Sequence, residues 1–391
     1  MLFKQVQSVF IILVISTYIP PLVSRCHSSY ITTCDTFEDI KNKNLKELIV
    51  GSTQLSYYKN KMTTVRLDDV ITTKMKILMI IRRIKHLEKC KLKKYSSIHM
   101  DLLILYGNVI PKIQISQFPI MSVKKFSLVH NKIQEIEVGA LRNHRIIDLD
   151  LSENQLSRIK NGALPVSKFM RIITIKSNEL ELIEPGSLHP HLRVLNLDQN
   201  KLKHLNNVLD NLLKLEELTL SHNKFSTLPN LTNLKYLKIV DVSFNELVSI
   251  KYDSFKHMNL LQVVNLESNK ICNSEVLQHL PVSTRRRPLI FSLAMNRLKQ
   301  VNLEQCRLKY VIFIRYGNLW DCEKARVIPL NLTLQESRCS LEYYSSGQVP
   351  YCIDYSSFNL SSNTSQWEKI IKKFHDSIRE NSEKIGCDLV Y

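Results

Sequence analysis

Glycine is scarce, at 8 of 391 residues. A phosphate-cradling loop needs several glycines in one turn so that backbone N–H groups can approach the anion, and no such cluster exists here. Nor is there a His-Glu-x-x-His or a Gly-x-Ser-x-Gly pattern, and the 12 histidines are scattered. These absences point away from an enzyme and from a bound cofactor or metal. Long apolar runs are also missing from the interior. The longest, Ile77–Ile81, falls far short of the ~18 residues that span a bilayer. No hydrophobic tail of the lipid-anchor type closes the chain, so no transmembrane anchor is expected. Acidic residues are outnumbered, 36 against 54 Lys and Arg, for a net charge of +18. That balance suits acidic partners such as anionic glycan, nucleic acid or a membrane surface.

What is present begins with a leader. Residues 1–24 carry Lys4, a largely apolar stretch from Val9 to Ile19, the helix breakers Pro20 and Pro21, and a small Ser24. This is the pattern of a secretory signal peptide, so a secreted, extracellular protein is expected. Nine cysteines fit an oxidising compartment. Four Asn-x-Ser/Thr sequons, at Asn230, Asn331, Asn359 and Asn363, are candidate glycosylation sites.

The interior is a repeat. The stretch IIDLDLSENQL fits L-x-x-L-x-L-x-x-N-x-L, and the same frame recurs around Asn108, Asn131, Asn154, Asn178, Asn200, Asn223, Asn245, Asn269 and Asn296. The Asn-to-Asn steps are 23, 23, 24, 22, 23, 22, 24 and 27 residues. Near-constant spacing of this kind marks a stack of supersecondary units. Residues 45–55 fit the frame with Thr53 in the Asn slot, and the stretch around Ile77–Ile81 fits it with Arg83 there; both are read as degenerate rungs.

The frame resembles that of extracellular leucine-rich-repeat proteins. The resemblance implies an α/β solenoid, a curved right-handed coil with a parallel β-sheet on its concave face and cysteine-containing caps. Each Asn then serves the frame. A rung turns sharply after its strand and strands backbone groups in the interior, where leaving one unpaired costs ~1–3 kcal/mol. An amide that both donates and accepts can satisfy groups of its own rung and of the adjoining one.

Ends of a solenoid need covering. Cys26 and Cys34 are candidates for an N-terminal staple. Asn318, Trp320 and Cys322 resemble the opening of the family's C-terminal cap, with Leu319 in place of its proline and no cysteine at Lys324. Cys339 and Cys352 are further cap candidates, with the pairing open. Cys90, Cys272 and Cys306 fall among the rungs, where a free thiol packs as a small buried hydrophobe. Cys387 bridges either back to the cap or to another chain. Before it, Trp367, Ile370, Ile371, Phe374 and Ile378 share one helical face. The expected organisation is a leader over 1–24, an N-terminal cap with degenerate repeats over 25–99, regular repeats over 100–317, a cysteine-containing cap over 318–364 and an amphipathic helix over 365–391.

Specificity in such a scaffold sits in the variable positions of the concave face. Periodicity assigns to that face Tyr106, Asp148, Asp150, Ser152, Thr174, Asp198, Glu217, Asp241 and Glu267. The face is mixed to acidic, and Tyr106 is the only aromatic in its central columns. A nucleic-acid groove wants a continuous basic track with stacking aromatics, so nucleic acid is not expected. The basic charge concentrates instead in residues 59–94, twelve Lys or Arg against three acids, and in Arg285–Arg287. The expected role is recognition of a protein partner, with a disulfide-linked complex as one form of it. The leader, short rungs, terminal cysteines and trailing helix resemble mosquito leucine-rich immune proteins, though their adjacent Cys-Cys pair and long coiled coil are absent. That resemblance implies a role in insect innate immunity. An extracellular-matrix or glycan-binding structural protein, held by the basic 59–94 block, is the alternative.

Overall fold

A computed structural model describes residues 27–28, 32–34, 47–50, 63–67, 71, 76–81, 84–90, 98–165, 167–282, 284, 286–300, 311–314 and 317–318. For residues before 66 and for 312–314 it describes the backbone alone. The leader, Cys26, Cys306, Cys322, Cys339, Cys352, Cys387, Asn331, Asn359, Asn363 and the helix expected over 365–391 lie outside the described residues, as does the side chain of Cys34. The chain divides into two compact units, residues 1–178 and 179–391.

In the first unit, strands Thr32–Cys34, Glu47–Val50, Ile77–Ile81, Ile98–Tyr106, Met121–Ser127, Arg145–Asp150 and Ile172–Thr174 form one sheet, each parallel to the next. At its start His27–Ser28 pairs antiparallel with Thr32–Cys34. Parallel neighbours in sequence order require that the chain cross over between every pair of strands, which is the definition of a coil. The inward residues of successive strands stack into one core: Leu78 and Ile80, Leu103 and Leu105, Phe126 and Leu128, Leu149 and Leu151, Ile173 and Ile175 are all buried. Each contributes ~1.5–3 kcal/mol by leaving water. The return path is built from turns and two-residue strands such as Lys112–Ile113, parallel to Glu135–Ile136.

The second unit repeats the plan with strands Val194–Asn196, Glu217–Thr219, Ile239–Asp241, Val263–Asn265, Leu289–Ser292 and Val311–Ile314, again parallel and in order. Its core is Leu195, Leu218, Val240, Val264 and Phe291 with the residues two further on. Among the described residues the only helix is the short 3₁₀ turn Glu275–His279, in the return path of the 27-residue step. Both units are therefore parallel-sheet solenoids with almost no helix.

One backbone device recurs in every rung. The residue before each interior Asn is left-handed: His130, Glu153 and Ser177 in the first unit, Gln199, His222, Phe244, Ser268 and Met295 in the second, all at φ between 51° and 56°. Non-glycine residues pay ~1–2 kcal/mol for that region, so the turn is imposed by the stack and not by local preference. The scarce glycines gather at similar places. All five glycines among the described residues have positive φ, including Gly107 before Asn108 and Gly317 before Asn318.

Candidate functional site

The interior Asn ladder comes first, because it determines which polar groups remain for partners. Asn154 Nδ2 donates to Leu128 O of the preceding rung at 2.9 Å, and to Leu151 O and Ser152 O of its own rung at 3.0 Å. Its Oδ1 accepts from Ile133 N at 3.1 Å. Asn178 repeats this with Leu151 O at 3.0 Å and Leu156 N at 3.0 Å. Asn108 reaches Ile80 O and Ile84 N in the rung whose Asn slot holds Arg83. Asn131 differs: Nδ2 donates to Leu105 O, Leu128 O and Val129 O, but its buried Oδ1 receives no hydrogen bond.

In the second unit Asn223, Asn245, Asn269 and Asn296 make the same set, each accepting from the residue two beyond the previous Asn: Leu202, Phe225, Leu247 and Ile271. Asn200 accepts likewise from Leu180 N at 2.9 Å. Asn318, expected to open a cap, is the next ladder member. It accepts from Leu298 N at 3.0 Å and donates to Leu293 O at 2.8 Å. Its rung escapes the sequence frame because Arg315 occupies the slot of the third leucine.

On the open face a second set of internal hydrogen bonds appears. The side chain of the strand's last residue repeatedly accepts from the backbone N–H two residues on. Asp150 Oδ1 accepts from Ser152 N at 3.0 Å and from Ser152 Oγ at 2.6 Å. In the second unit Asn196 accepts from Asp198 N, Asp241 from Ser243 N and Oγ, and Asn265 from Glu267 N. Adjacent rungs are tied as well, Asp198 Oδ1 accepting from Ser221 N at 2.8 Å and Asp241 Oδ2 from Asn265 Nδ2 at 3.1 Å.

These bonds correct the expected partner face. Ser152 is buried, its hydroxyl committed to Asp150. Glu267 is only 3% exposed, and its neighbours Asn265, Ser292 and Ala294 are buried with it, so the open face ends before that rung. Asp150 and Asp241 are half-exposed, but Asp150 spends one oxygen on the frame and Asp241 both. The candidates left outward-facing are Tyr106, Asp148 and Thr174 in the first unit, and Glu217 with part of Asp198 in the second. Tyr106 stacks on His130 at 5.6 Å. Asp148 faces Lys125 at 3.8 Å. Burial nevertheless pushes its carboxyl up to about 6, with Lys125 pulling it down and Asp150 pushing it further up. Asp198 and Glu217 are also raised, burial first in both cases, by crowding of carboxylates in the second unit. Crowded carboxylates beside a strand could hold a cation, but among the described residues no three His, Cys, Asp or Glu converge as ligands.

The cysteines divide differently from expectation. Cys272 is exposed, not buried, because its slot lies at the end of the Asn turn and not on an inward position. Cys90 is half-buried, with Sγ donating to Gln117 O at 3.4 Å. Neither is in a disulfide. Asn230 is exposed, and its Oδ1 accepts from Thr232 N and Oγ1 at 3.2 and 2.7 Å.

Parallel strands in sequence order, an interior Asn in each rung from Asn108 to Asn318 and an open polar face define a leucine-rich-repeat solenoid. Comparisons agree with that class. Residues 170–225 match a protein-family model described as leucine rich repeat. Osteomodulin of Bos taurus is 27% identical over 198 residues, 49% of this chain and 44% of its own length. Toll-like receptor 2 type-1 of Gallus gallus is 28% identical over 217 residues, 52% of this chain and 26% of its own length. The chain thus spans less than half of either relative. Among solved structures, the functional domain of InlJ from Listeria monocytogenes superposes with a TM-score of 0.50 over 74% of this chain and 63% of that one, at 17% identity. Among the described residues no helix is long and apolar enough to cross a membrane.

Proposed function

We propose that this chain is a secreted recognition protein that binds a protein partner through the outward positions of its strands and performs no catalysis. One observation carries the reading: the frame satisfies its own polar groups, while Tyr106, Asp148, Thr174 and Glu217 stay half-exposed on rigid strands. Positions free of structural duty on a stiff scaffold are where specificity can vary without cost to the fold. The leader and the relatives named as receptors support an extracellular setting. The resemblance to mosquito leucine-rich immune proteins supports a role in insect innate immunity, with Cys387 linking the complex covalently. The exposed Asn230 turn is the glycosylation site with structural support, and Asn331, Asn359 and Asn363 are the other candidates.

The test is electrophoresis of the secreted protein with and without reductant, with identification of any co-migrating partner. A partner band that disappears on reduction or in Cys387→Ser, together with loss of partner in Thr174→Arg or Glu217→Arg, is the expected result. Tight heparin binding abolished by neutralising Lys85–Lys94, with no protein partner recovered, would replace this reading by the matrix alternative.

A further inference from the structure

The outward side of the Arg145–Asp150 strand and of the rung after it carries a compact block of alternating character. Arg145 and Ile147 are two apart on one strand and so share a face. Across the rung step the Arg145 guanidinium lies 5.6 Å from the Phe169 ring centroid. Arg171 N donates to Ile147 O at 2.9 Å, which places Arg171 beside Ile147. Cation therefore sits next to apolar side chain in both directions. A second cation, Lys168 Nζ, lies 5.5 Å from the same Phe169 ring. Ile147, on the strand, and Phe169, in the turn before the next strand, are each 39% exposed.

Some cations of the unit are already paired with a carboxylate. Lys124 is paired with Asp101 at 2.8 Å, and Lys112 and Lys160 both pair with Glu135. Arg145, Lys168 and Arg171 face no carboxylate within 4 Å among the described residues. The Arg171 guanidinium is instead held by the carbonyls of Lys168 and Met170, at 2.6 and 2.9 Å, so its position is pre-set. Arg145 and Lys168 both lie against the one Phe169 ring. A carboxylate brought to them would complement both charges while the ring and Ile147 received an apolar side chain.

We infer that this block docks an acidic peptide segment of a partner protein, one in which carboxylates alternate with large apolar side chains. The inference rests on the recognition role proposed above and adds to it a surface and a chemistry. Alternation decides the class of occupant. An extended acidic strand with apolar residues at every second position matches a block whose cations and apolar groups interleave. A sulfated glycan would satisfy three cations but leave Ile147 and Phe169 without a match, and it would prefer a longer basic track.

The probe is a short fluorescent peptide alternating Glu with Phe and Leu, titrated against the full chain by anisotropy. A poly-Glu peptide and a heparin oligosaccharide serve as competitors. Binding of the alternating peptide should weaken roughly tenfold in Phe169→Ser and in Arg145→Gln, the range typical of removing one anchor or one interfacial charge. Phe169→Leu should retain most of it. The double change Arg145→Glu and Lys168→Glu should transfer preference to a peptide alternating Lys with Phe and Leu. Circular dichroism and thermal melts of each variant separate lost binding from lost fold. Failure of the folded wild-type chain to bind the alternating peptide, displacement by heparin in preference to it, or indifference to Phe169→Ser would each overturn the inference. Partner capture lost in Thr174→Arg but intact in Phe169→Ser would overturn the block alone and leave the recognition role standing.

Discussion

Asp150 and Ser152 hold each other: one carboxylate oxygen accepts both the backbone N–H and the hydroxyl of the residue two positions on, at 3.0 and 2.6 Å. Side chains two apart on a strand lie on the same side, so the pair would ordinarily be taken as two neighbouring contacts for a ligand. Here they are one structural unit, and the second unit repeats it at Asp241 and Ser243. Asp150→Ala should therefore lower stability by ~1–2 kcal/mol, the usual cost of removing charge-assisted hydrogen bonds from partners that stay in place. Thr174→Arg, on the next strand, should leave stability within ~0.5 kcal/mol. Urea midpoints for the two variants decide the point. Equal midpoints for Asp150→Ala and wild type would return Asp150 to the pool of free contact residues.

The Asn ladder makes a graded prediction. Asn154→Leu removes four hydrogen bonds and leaves the Ile133 N–H buried without a partner, while Leu128 O, Leu151 O and Ser152 O keep Asn131 Nδ2, Asn178 Nδ2 and His130 N, a loss of ~2–3 kcal/mol. Asn131→Leu should cost ~1 kcal/mol less, because Asn131 Oδ1 accepts nothing that could be lost. Denaturant titration of the two variants side by side checks the difference. A larger loss at Asn131 would mean that its carboxamide bonds through oxygen in solution.

The repeat period made the coil and the ladder legible, because a fixed spacing of leucines and Asn has few structural solutions. It failed where one slot was broken: Arg315 hid the rung that ends in Asn318, whose cross-rung hydrogen bonds are those of Asn154. The open face was less legible than the core. Alternation tells which side of a strand a residue takes, but not whether Asp150 will reach Ser152 or whether Glu267 will be buried along with Ser292 on the next rung. The block around Phe169 was invisible for a related reason. Arg145 and Phe169 are 24 positions apart and meet only because the rung closes.

Left-handed turns predict opposite outcomes for two substitutions. Gly162 has φ +81°, and a Cβ there would lie 3.3 Å from Val138 Cγ1. Gly162→Ala should destabilise by ~1–2 kcal/mol through backbone strain and this contact. Glu153 has φ 55°, and its contact with His130 lies on the surface. Glu153→Gly relieves ~1–2 kcal/mol of left-handed strain against ~0.5–1 kcal/mol of chain entropy, so a net gain of about 0.5 kcal/mol is expected. Thermal melts of both variants test the signs. Destabilisation by Glu153→Gly beyond ~1 kcal/mol would show that the His130 contact, not the backbone, sets the balance.

Two groups near one strand make the first unit respond to acid in opposite senses. His144 is buried, its Nδ1 has no partner, and burial pushes its pKa down to about 4 despite a hydrogen bond to the Ala140 backbone. The unfolded chain takes up that proton near pH 6.5, so stability present above pH 6.5 is lost as pH falls toward 4. Asp148 does the reverse. Its side chain is 22% exposed, and its pKa rises to about 6 from 3.8. The folded state takes up this proton first, so stability is gained as pH falls from 6 toward 3.8. Each effect amounts to ~2–3 kcal/mol over its window, and in the wild type they largely cancel. Asp148→Asn should be more stable than wild type at pH 7 and should lose that advantage by pH 4.5, where His144 acts alone. His144→Phe should become more stable relative to wild type as the pH drops. Urea midpoints at pH 7 and 4.5 give the comparison, with carboxylates elsewhere common to all three proteins. If the gap between Asp148→Asn and wild type stays constant across that range, the Asp148 carboxyl is not protonated there, and its burial does not govern its charge.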